Sequence, residues 1–560
     1  MVVAFEFPPT ERRTDVCIVG AGPAGIALAL QCETRGLSVC LVDAGGYKPK
    51  RVEPALTNID ILDEEHHAPL AHAVRQAFGG TSWAWGGGCV PFDPIDFEQR
   101  EYVPHSGWPI SYKEIAGWYG AAAQVLGCGS ADFSLPGPDW ALDGIEVNHI
   151  ERISTQTNLA KLYRRHVETS SNIWACLKTS VVGFELDPTG TRAVALKTAG
   201  NPGFVPRSEA TVYVLACGGV RTTHCLLNLQ TEWPQHFGGV GGPLGRYYMG
   251  HIVGEIATLI FNNEVDASSF LFNGTVGSSY LRQFRIGDGI QQRLGLLNTH
   301  FTLRVPPLED HRHENGALSL LLLLAMIPSL RENVQSDRFR KAFRDRSTVE
   351  WRDHLTNILR KPGSTAAEIF QHIQRKTRSV IKAPFLSYNR GGRYSLHYHA
   401  EQTPNPESRM RLLHSTEQPY SLPRLLIDYR VTKQDAHSVI RAHEILDATL
   451  RKSGIGHLEY WHEPTDRLAA VMALASDGYH QVGTTRMGLN ANGAIVDRNA
   501  RIHGLTNVFI ASSSVFPTTG RANPTLHIVA LAARLAHHLS QELSKRIIVK
   551  SGHGYPNSKK

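Results

Sequence analysis

Asp15-Val-Cys-Ile-Val-Gly20-Ala-Gly22-Pro-Ala-Gly25 runs from an apolar strand through a glycine turn into a helix. Gly20 permits the tight turn, Gly22 lets the backbone approach a pyrophosphate, and Gly25 lets the helix pack on the strand. The helix N-terminus, with Pro23 and Ala24 in its first turn, presents free N–H groups to phosphates. The next apolar run, Leu37-Ser-Val-Cys-Leu-Val-Asp43, ends in an acid 18 residues after Gly25, followed by Ala44. That spacing suits a carboxylate accepting from ribose hydroxyls. Strand, turn, helix and acid together predict a βαβ nucleotide-binding unit. They do not separate FAD from NAD.

At 560 residues the chain exceeds what one hydrophobic core serves, so two or more domains are expected. With 42% hydrophobic and 19% charged residues it is neither disordered nor fibrous. The cysteines at 17, 32, 40, 89, 128, 176, 217 and 225 show no C-x-x-C spacing, which argues for reduced thiols and against zinc or a disulfide scaffold. Arg12-Arg13 precedes the glycine-motif strand rather than a leader, so a cytoplasmic location is expected. The longest apolar run, Ala317–Ile327, is too short for a bilayer span and predicts a buried strand or helix.

The charge excess is local. Residues 328–383 hold 13 Arg/Lys and 6 Asp/Glu, a surplus equal to the formal net charge of +7. Phe339, Phe343, Trp351, Leu355 and Leu359 recur there at helical spacing, and Pro362-Gly363 would end the helices. The stretch reads as a basic amphipathic insertion, either a solvated lid or a surface for an acidic partner or membrane. No nucleic-acid reading motif accompanies it.

Elsewhere, Phe78–Gly88 reads as a loop around a flat ligand and residues 177–217 as a β-meander. Strands are expected at 255–261, 295–305, 394–401 and 424–430, and helices at 433–453 and 524–543. In the former helix Ile440, Ile445 and Leu450 share a face. The tail after residue 550 is expected to be disordered.

Gly79-Gly80-Thr81-Ser82, Trp108-Pro109-Ile110-Ser111, Val214–Val220, Glu401-Gln-Thr-Pro-Asn405-Pro and the run His480–Ala533 follow the glycine motif in order. With it they resemble the glucose–methanol–choline (GMC) oxidoreductases, most closely the pyranose-oxidase and bacterial sugar-dehydrogenase branches. The matching pieces cover somewhat under half the chain.

The resemblance implies a Rossmann-like α/β FAD-binding domain made of 1–110, 170–255 and 470–550. It also implies a discontinuous α+β substrate domain on an antiparallel sheet, made of 111–169 and 256–469. Cofactor contacts are then expected from the glycine motif, Asp43, Ala44, Gly79, Gly80, Thr81, Ser82, Trp85, Gly86, Gly87, Val182, Ala216, Cys217, Gly218, Ser512, Ser513, Asn523, Pro524 and Thr525.

His480 matches the family's catalytic histidine and Asn523 its partner. An imidazole suits removal of a hydroxyl proton near neutral pH, and Asn523 can orient the same oxygen. Asn523-Pro524 is also a good helix start, and that helix's N-terminus would face the flavin edge where negative charge collects. His527, one turn further on, reads as a packing residue. The position that carries the covalent histidine of pyranose oxidase aligns with Ala84, so the FAD is expected to be non-covalent. Ser512-Ser513 stand where relatives often carry an aspartate. The substrate the resemblance implies is an alcohol, a sugar or glycoside hydroxyl, with His300, His397, Tyr398 and His399 expected as pocket hydrogen-bonders. The residues leave open oxygen or quinone as acceptor, homo-oligomerisation, a non-redox lyase on the same fold, and a flavoprotein acting only as a binding subunit.

Overall fold

A computed structural model describes residues 14–551 except 50–57, 200–209, 263–264, 272, 276–277, 307, 326–349, 361, 364, 371–388, 390 and 414–421. The glycine motif lies at the centre of a five-stranded parallel sheet ordered Val508–Ile510, Ala210–Leu215, Thr14–Val19, Val39–Val42, Ile173–Cys176. These strands are near-continuous apolar runs, as strands covered on both faces must be. Helices Pro23–Glu33 and Pro524–Ser551 pack on each other within the same core. Helices Tyr112–Ala116 and Tyr119–Leu126, in the stretch expected on the substrate side, also bury Ile115, Tyr119 and Leu126 in that core.

A second core lies on a six-stranded antiparallel sheet ordered Gly456–Tyr460, Ile252–Phe261, Arg393–Ala400, Thr299–Arg304, Phe284–Ile286, Ile145–Glu146. Helix Lys433–Lys452 covers it. Thr432 and Asp435 form a capping box that starts this helix. Its buried stripe is Ala436, Val439, Leu446 and Leu450, with Ile440 and Ile445 at the margins.

The expected meander divides. Val181–Leu186 and Ala193–Thr198 pair as an antiparallel hairpin, while the flanking strands join the parallel sheet. A hairpin turn imposes only local pairing; the apolar flanks find the larger buried surface. The run from 317 forms a helix, Gly316–Ala325.

Within 328–383, Trp351–Arg360 is helical and Pro362-Gly363 have helical backbone instead of ending it. That helix buries His354 and Asn357 and exposes Leu355 and Leu359 of the expected stripe, while Trp351 packs, partly buried, on the cluster of Leu308, Leu318 and Leu322. His354 Nδ1 meets Ser319 Oγ at 3.0 Å and Asn357 donates to the His311 carbonyl at 2.8 Å, so polar contacts choose the face. Phe339 and Phe343 lie outside the described residues, as does the tail beyond 551. No helix among the described residues is long and apolar enough to cross a membrane.

Candidate active site

An elongated cavity of about 960 Å³ runs from the glycine turn to His480. Three helix N-termini reach it: Gly22-Pro23-Ala24, Cys217-Gly218-Gly219 and Asn523-Pro524-Thr525. Neither of the first two helices has a side-chain cap or an acid in its first turn. In the second helix Val220 N donates to Gln481 Oε1 at 3.1 Å; the N–H groups before it, and those opening the first helix, suit an anionic ligand. Gly20 sits at φ +108°, and a Cβ there would stand 2.5 Å from the Ala216 carbonyl oxygen. A Cβ on Gly25 would stand 1.9 Å from the Gly20 carbonyl oxygen, so Gly25 serves helix packing rather than the cavity wall. A Cβ on Gly22 meets only Gly80 Cα, at 3.9 Å, leaving room for a phosphate.

Asp43 lines the cavity and braces the turn, its two carboxylate oxygens accepting from Ala21 N and Gly45 N at 2.7 Å each. A carboxylate oxygen accepts more than one hydrogen bond, which suits ribose hydroxyls. Ala44, Gly80, Thr81, Ala84, Trp85, Gly86, Ala216, Ser512 and Ser513 also line the cavity. Ser513 Oγ donates to the Gln481 carbonyl at 2.6 Å, tying the serine pair to the segment bearing His480.

Gly79, Ser82, Gly87 and Val182 do not line it. Ser82 Oγ instead donates to the Gly79 carbonyl (2.6 Å) and accepts from Leu159 N (3.1 Å), fixing the loop from behind. Gly79 and Gly87 adopt positive φ at the loop's ends. Val182 is buried with Cys225 and Leu422, and strand alternation turns Val181 to the cavity in its place.

His480 and Asn523 line the same cavity. Tyr479 precedes the histidine at φ +65°, a strained setting for a tyrosine. The Asp477 carbonyl accepts from both His480 N (3.0 Å) and His251 N (3.3 Å). A Cβ on Gly250 would stand 2.1 Å from that oxygen, so only glycine allows the approach that brings His251 alongside. His480 Nδ1 lies 2.8 Å from His251 Nδ1, and burial pushes the His480 pKa down to about 4.

Asn523 Nδ2 donates to Glu151 Oε1 at 3.0 Å. Burial raises the Glu151 pKa, opposed by Arg304 and this hydrogen bond. Glu151, His251, Leu281 and Arg304 carry no motif and were invisible in the sequence; a buried Glu-Arg pair inside Ile150–Ile153 is the nearest thing to a signal.

His300, His397, Tyr398 and His399, expected on the pocket wall, do not line the cavity. Tyr398 and His300 are buried in the sheet. His399 donates to the Arg521 carbonyl at 2.8 Å, and its ring lies 4.4 Å from that of His251, behind the site. His527 is fully buried, stacked on Phe92 and bonded to the Tyr119 hydroxyl, as a packing residue should be.

The loop before Asn523 is held from beneath. Asp93 binds Arg521 (2.7 Å), Arg285 (3.0 Å) and Asn298 (2.9 Å). Trp108 Nε1 donates to Thr518 Oγ1 (2.9 Å), and Gln402 N to Thr519 Oγ1 (3.1 Å). The Trp108 and Glu401-Gln402 motifs thus act as supports of the site rather than as walls.

A glycine turn on a parallel sheet, three helix N-termini and an imidazole at one cavity define a dinucleotide-binding enzyme. A family profile described as GMC oxidoreductase matches residues 404–532, and one described as an FAD binding domain matches 15–83. Paromamine 6'-oxidase of Streptomyces fradiae is 24% identical over 96% of this chain and 93% of its own. C-glycoside 3-oxidase of Arthrobacter globiformis is 30% identical over 26% of each chain. The solved pyridoxine 4-oxidase from Mesorbium loti superposes over 94% of this chain and 99% of its own, at 16% identity and TM-score 0.50. The chain thus carries a region matching the GMC oxidoreductases together with an FAD-binding domain, and is an FAD-dependent enzyme acting on CH–OH groups.

Proposed function

We propose that the protein oxidises a sugar or glycoside hydroxyl to a carbonyl, with His480 as general base and Asn523 orienting the alcohol. The observation that carries this reading is the opening of His480 and Asn523 onto the cavity walled by the glycine motif. FAD, when bound, supplies the hydride acceptor. His480 takes the hydroxyl proton as the carbon gives up its hydride. Asn523 spends one amide hydrogen on Glu151, and the other serves the substrate oxygen. Glu151 and Arg304 add polar groups suited to further hydroxyls. The sugar preference is supported by the named activities of the two relatives.

An anaerobic panel of sugars, glycosides and simple alcohols, read by loss of flavin absorbance, tests the proposal. Bleaching by a glycoside or sugar is expected. If none bleaches the flavin while a hydroxynitrile is cleaved, the oxidative reading falls. Peroxide formed in air, or turnover with a quinone alone, then assigns the acceptor.

We further propose that the FAD is non-covalent, since Ala84 offers only carbon to the cavity. Acid or heat denaturation should release all flavin to the supernatant; flavin retained on the precipitate would refute this.

The pH dependence follows from the depressed base. His480 is active when neutral, above its pKa, so kcat/KM should hold from neutral pH downward and fall only near about pH 4. His251 and His399 face it and are themselves held neutral by burial. Initial rates after brief pH jumps, with flavin emission reporting intact protein, measure the limb. A limb at 6.5 would show an ordinary, solvated imidazole in that role.

A further inference from the structure

We propose that His251 is a positioning residue that fixes the tautomer of His480, keeping the proton on Nδ1 and leaving Nε2 as the basic nitrogen. The inference rests on the reading of His480 as the base.

His251 Nε2 lies 3.2 Å from the Thr519 carbonyl oxygen, which can only accept, so Nε2 carries the hydrogen. A neutral imidazole has one N–H, and the His251 Nδ1 is therefore a lone pair. That lone pair faces His480 Nδ1 at 2.8 Å. Two lone pairs do not meet at that distance, so His480 donates from Nδ1 and its own lone pair sits on Nε2.

His251 stays neutral because it is fully buried, with the rings of His399 and His480 beside it at centroid distances of 4.4 and 4.7 Å. Burial and those neighbours hold its pKa well below 6.5, against the Thr519 and Gly520 backbone, which favour the charged form. The chain runs Thr519 carbonyl, His251, His480, substrate hydroxyl. When the hydroxyl proton reaches His480 Nε2, the imidazolium keeps its Nδ1–H bonded to His251 Nδ1, and the acceptor stabilises the new charge. No proton leaves the pair in this step. A proton added to His251 Nδ1 in acid would face His480 Nδ1, force the opposite tautomer and cap Nε2 with hydrogen.

The placement has its own structural cause. The Asp477 carbonyl receives both main-chain N–H groups, and Gly250 gives the clearance. Gly250 N in turn donates to Gln402 Oε1 at 2.8 Å.

The test compares flavin-loaded His251→Leu, His251→Asn and His480→Ala proteins on whichever alcohol bleaches the flavin. Leucine removes the acceptor, and kcat should fall about 10–100-fold with KM little changed and flavin content intact. Asparagine places a carbonyl oxygen near the lost Nδ1 and should restore most of the rate. In ¹⁵N-histidine-labelled wild-type holoenzyme, assigned by the signals lost in His480→Gln, Nδ1 of His480 should resonate as a protonated nitrogen and Nε2 as an unprotonated one. The reverse pattern overturns the proposal, even if the leucine variant fails to hold flavin. Wild-type kcat in His251→Leu alongside an inactive His480→Ala also overturns it and leaves the base standing. Wild-type kcat in His480→Ala removes the base itself.

Discussion

His480→Ala is expected to lower kcat by about 10²–10⁴-fold, or about 3–5 kcal/mol of transition-state stabilisation, while FAD stays bound. The cofactor contacts we propose lie on the glycine turn, the Gly80–Gly86 loop and the helix N-termini, and none needs the imidazole. In the proposed mechanism, what is lost is the group that accepts the hydroxyl proton while the carbon gives up hydride. Without it, the alkoxide must form with water as base, at a cost that burial magnifies. The measurement is single-turnover anaerobic flavin reduction, which isolates the chemical step from product release and reoxidation. The reduction rate should fall and the substrate dependence should change little. A rate within a few-fold of wild type would place the base elsewhere, or assign the chain a binding role.

Asp93→Ala is expected to cost about 3–5 kcal/mol of stability, because it strands the buried Arg521 guanidinium without a carboxylate, while Arg285 keeps Glu146 and Asp288. Arg521 and Arg285 are buried, with side-chain exposures of 0% and 3%, and both bind Asp93. Their charges hold the Asp93 carboxyl well below the usual range, while the neighbouring Asp96, buried beside that negative charge, is pushed up to about 7. The effect reaches the active site. The Arg521 carbonyl holds His399, and Asn523 follows two residues later on the same loop. Activity per bound flavin should therefore drop along with the melting temperature. Differential scanning calorimetry with a flavin-content assay checks both; a melting point within a degree of wild type would show that solvent reaches the arginines. Asp93→Asn, which keeps the shape and some hydrogen bonds, should fall between the two.

The nucleotide half was legible because its information is local. A glycine at φ +108° between a buried strand and a helix is a constraint among neighbours, and Gly20, Gly22 and Asp43 line one cavity. The strands expected at 255–261, 295–305 and 394–401 form as Ile252–Phe261, Thr299–Arg304 and Arg393–Ala400. Site residues taken from the loop as a block fared less evenly: Thr81 and Trp85 reach the cavity while Ser82 turns its hydroxyl back to Gly79. Val182 missed by one position, since a strand alternates sides at every residue. The helix at 351–360 shows the limit of periodicity, because its buried face is polar and hydrogen-bonded.

Neighbouring residues alone thus dictate where the chain turns, which runs are buried and where a phosphate can approach, since those depend on φ, ψ and apolar pattern over a few positions. Which side chains attend His480 and Asn523 is a matter of distant pairing. His251 reaches His480 across 229 residues and Glu151 reaches Asn523 across 372. Those meetings follow from sheet register and from a carbonyl approached closely by a glycine. Both arise only when two cores have packed, because a hydrogen-bond partner is chosen by proximity in space and leaves no period or spacing along the chain.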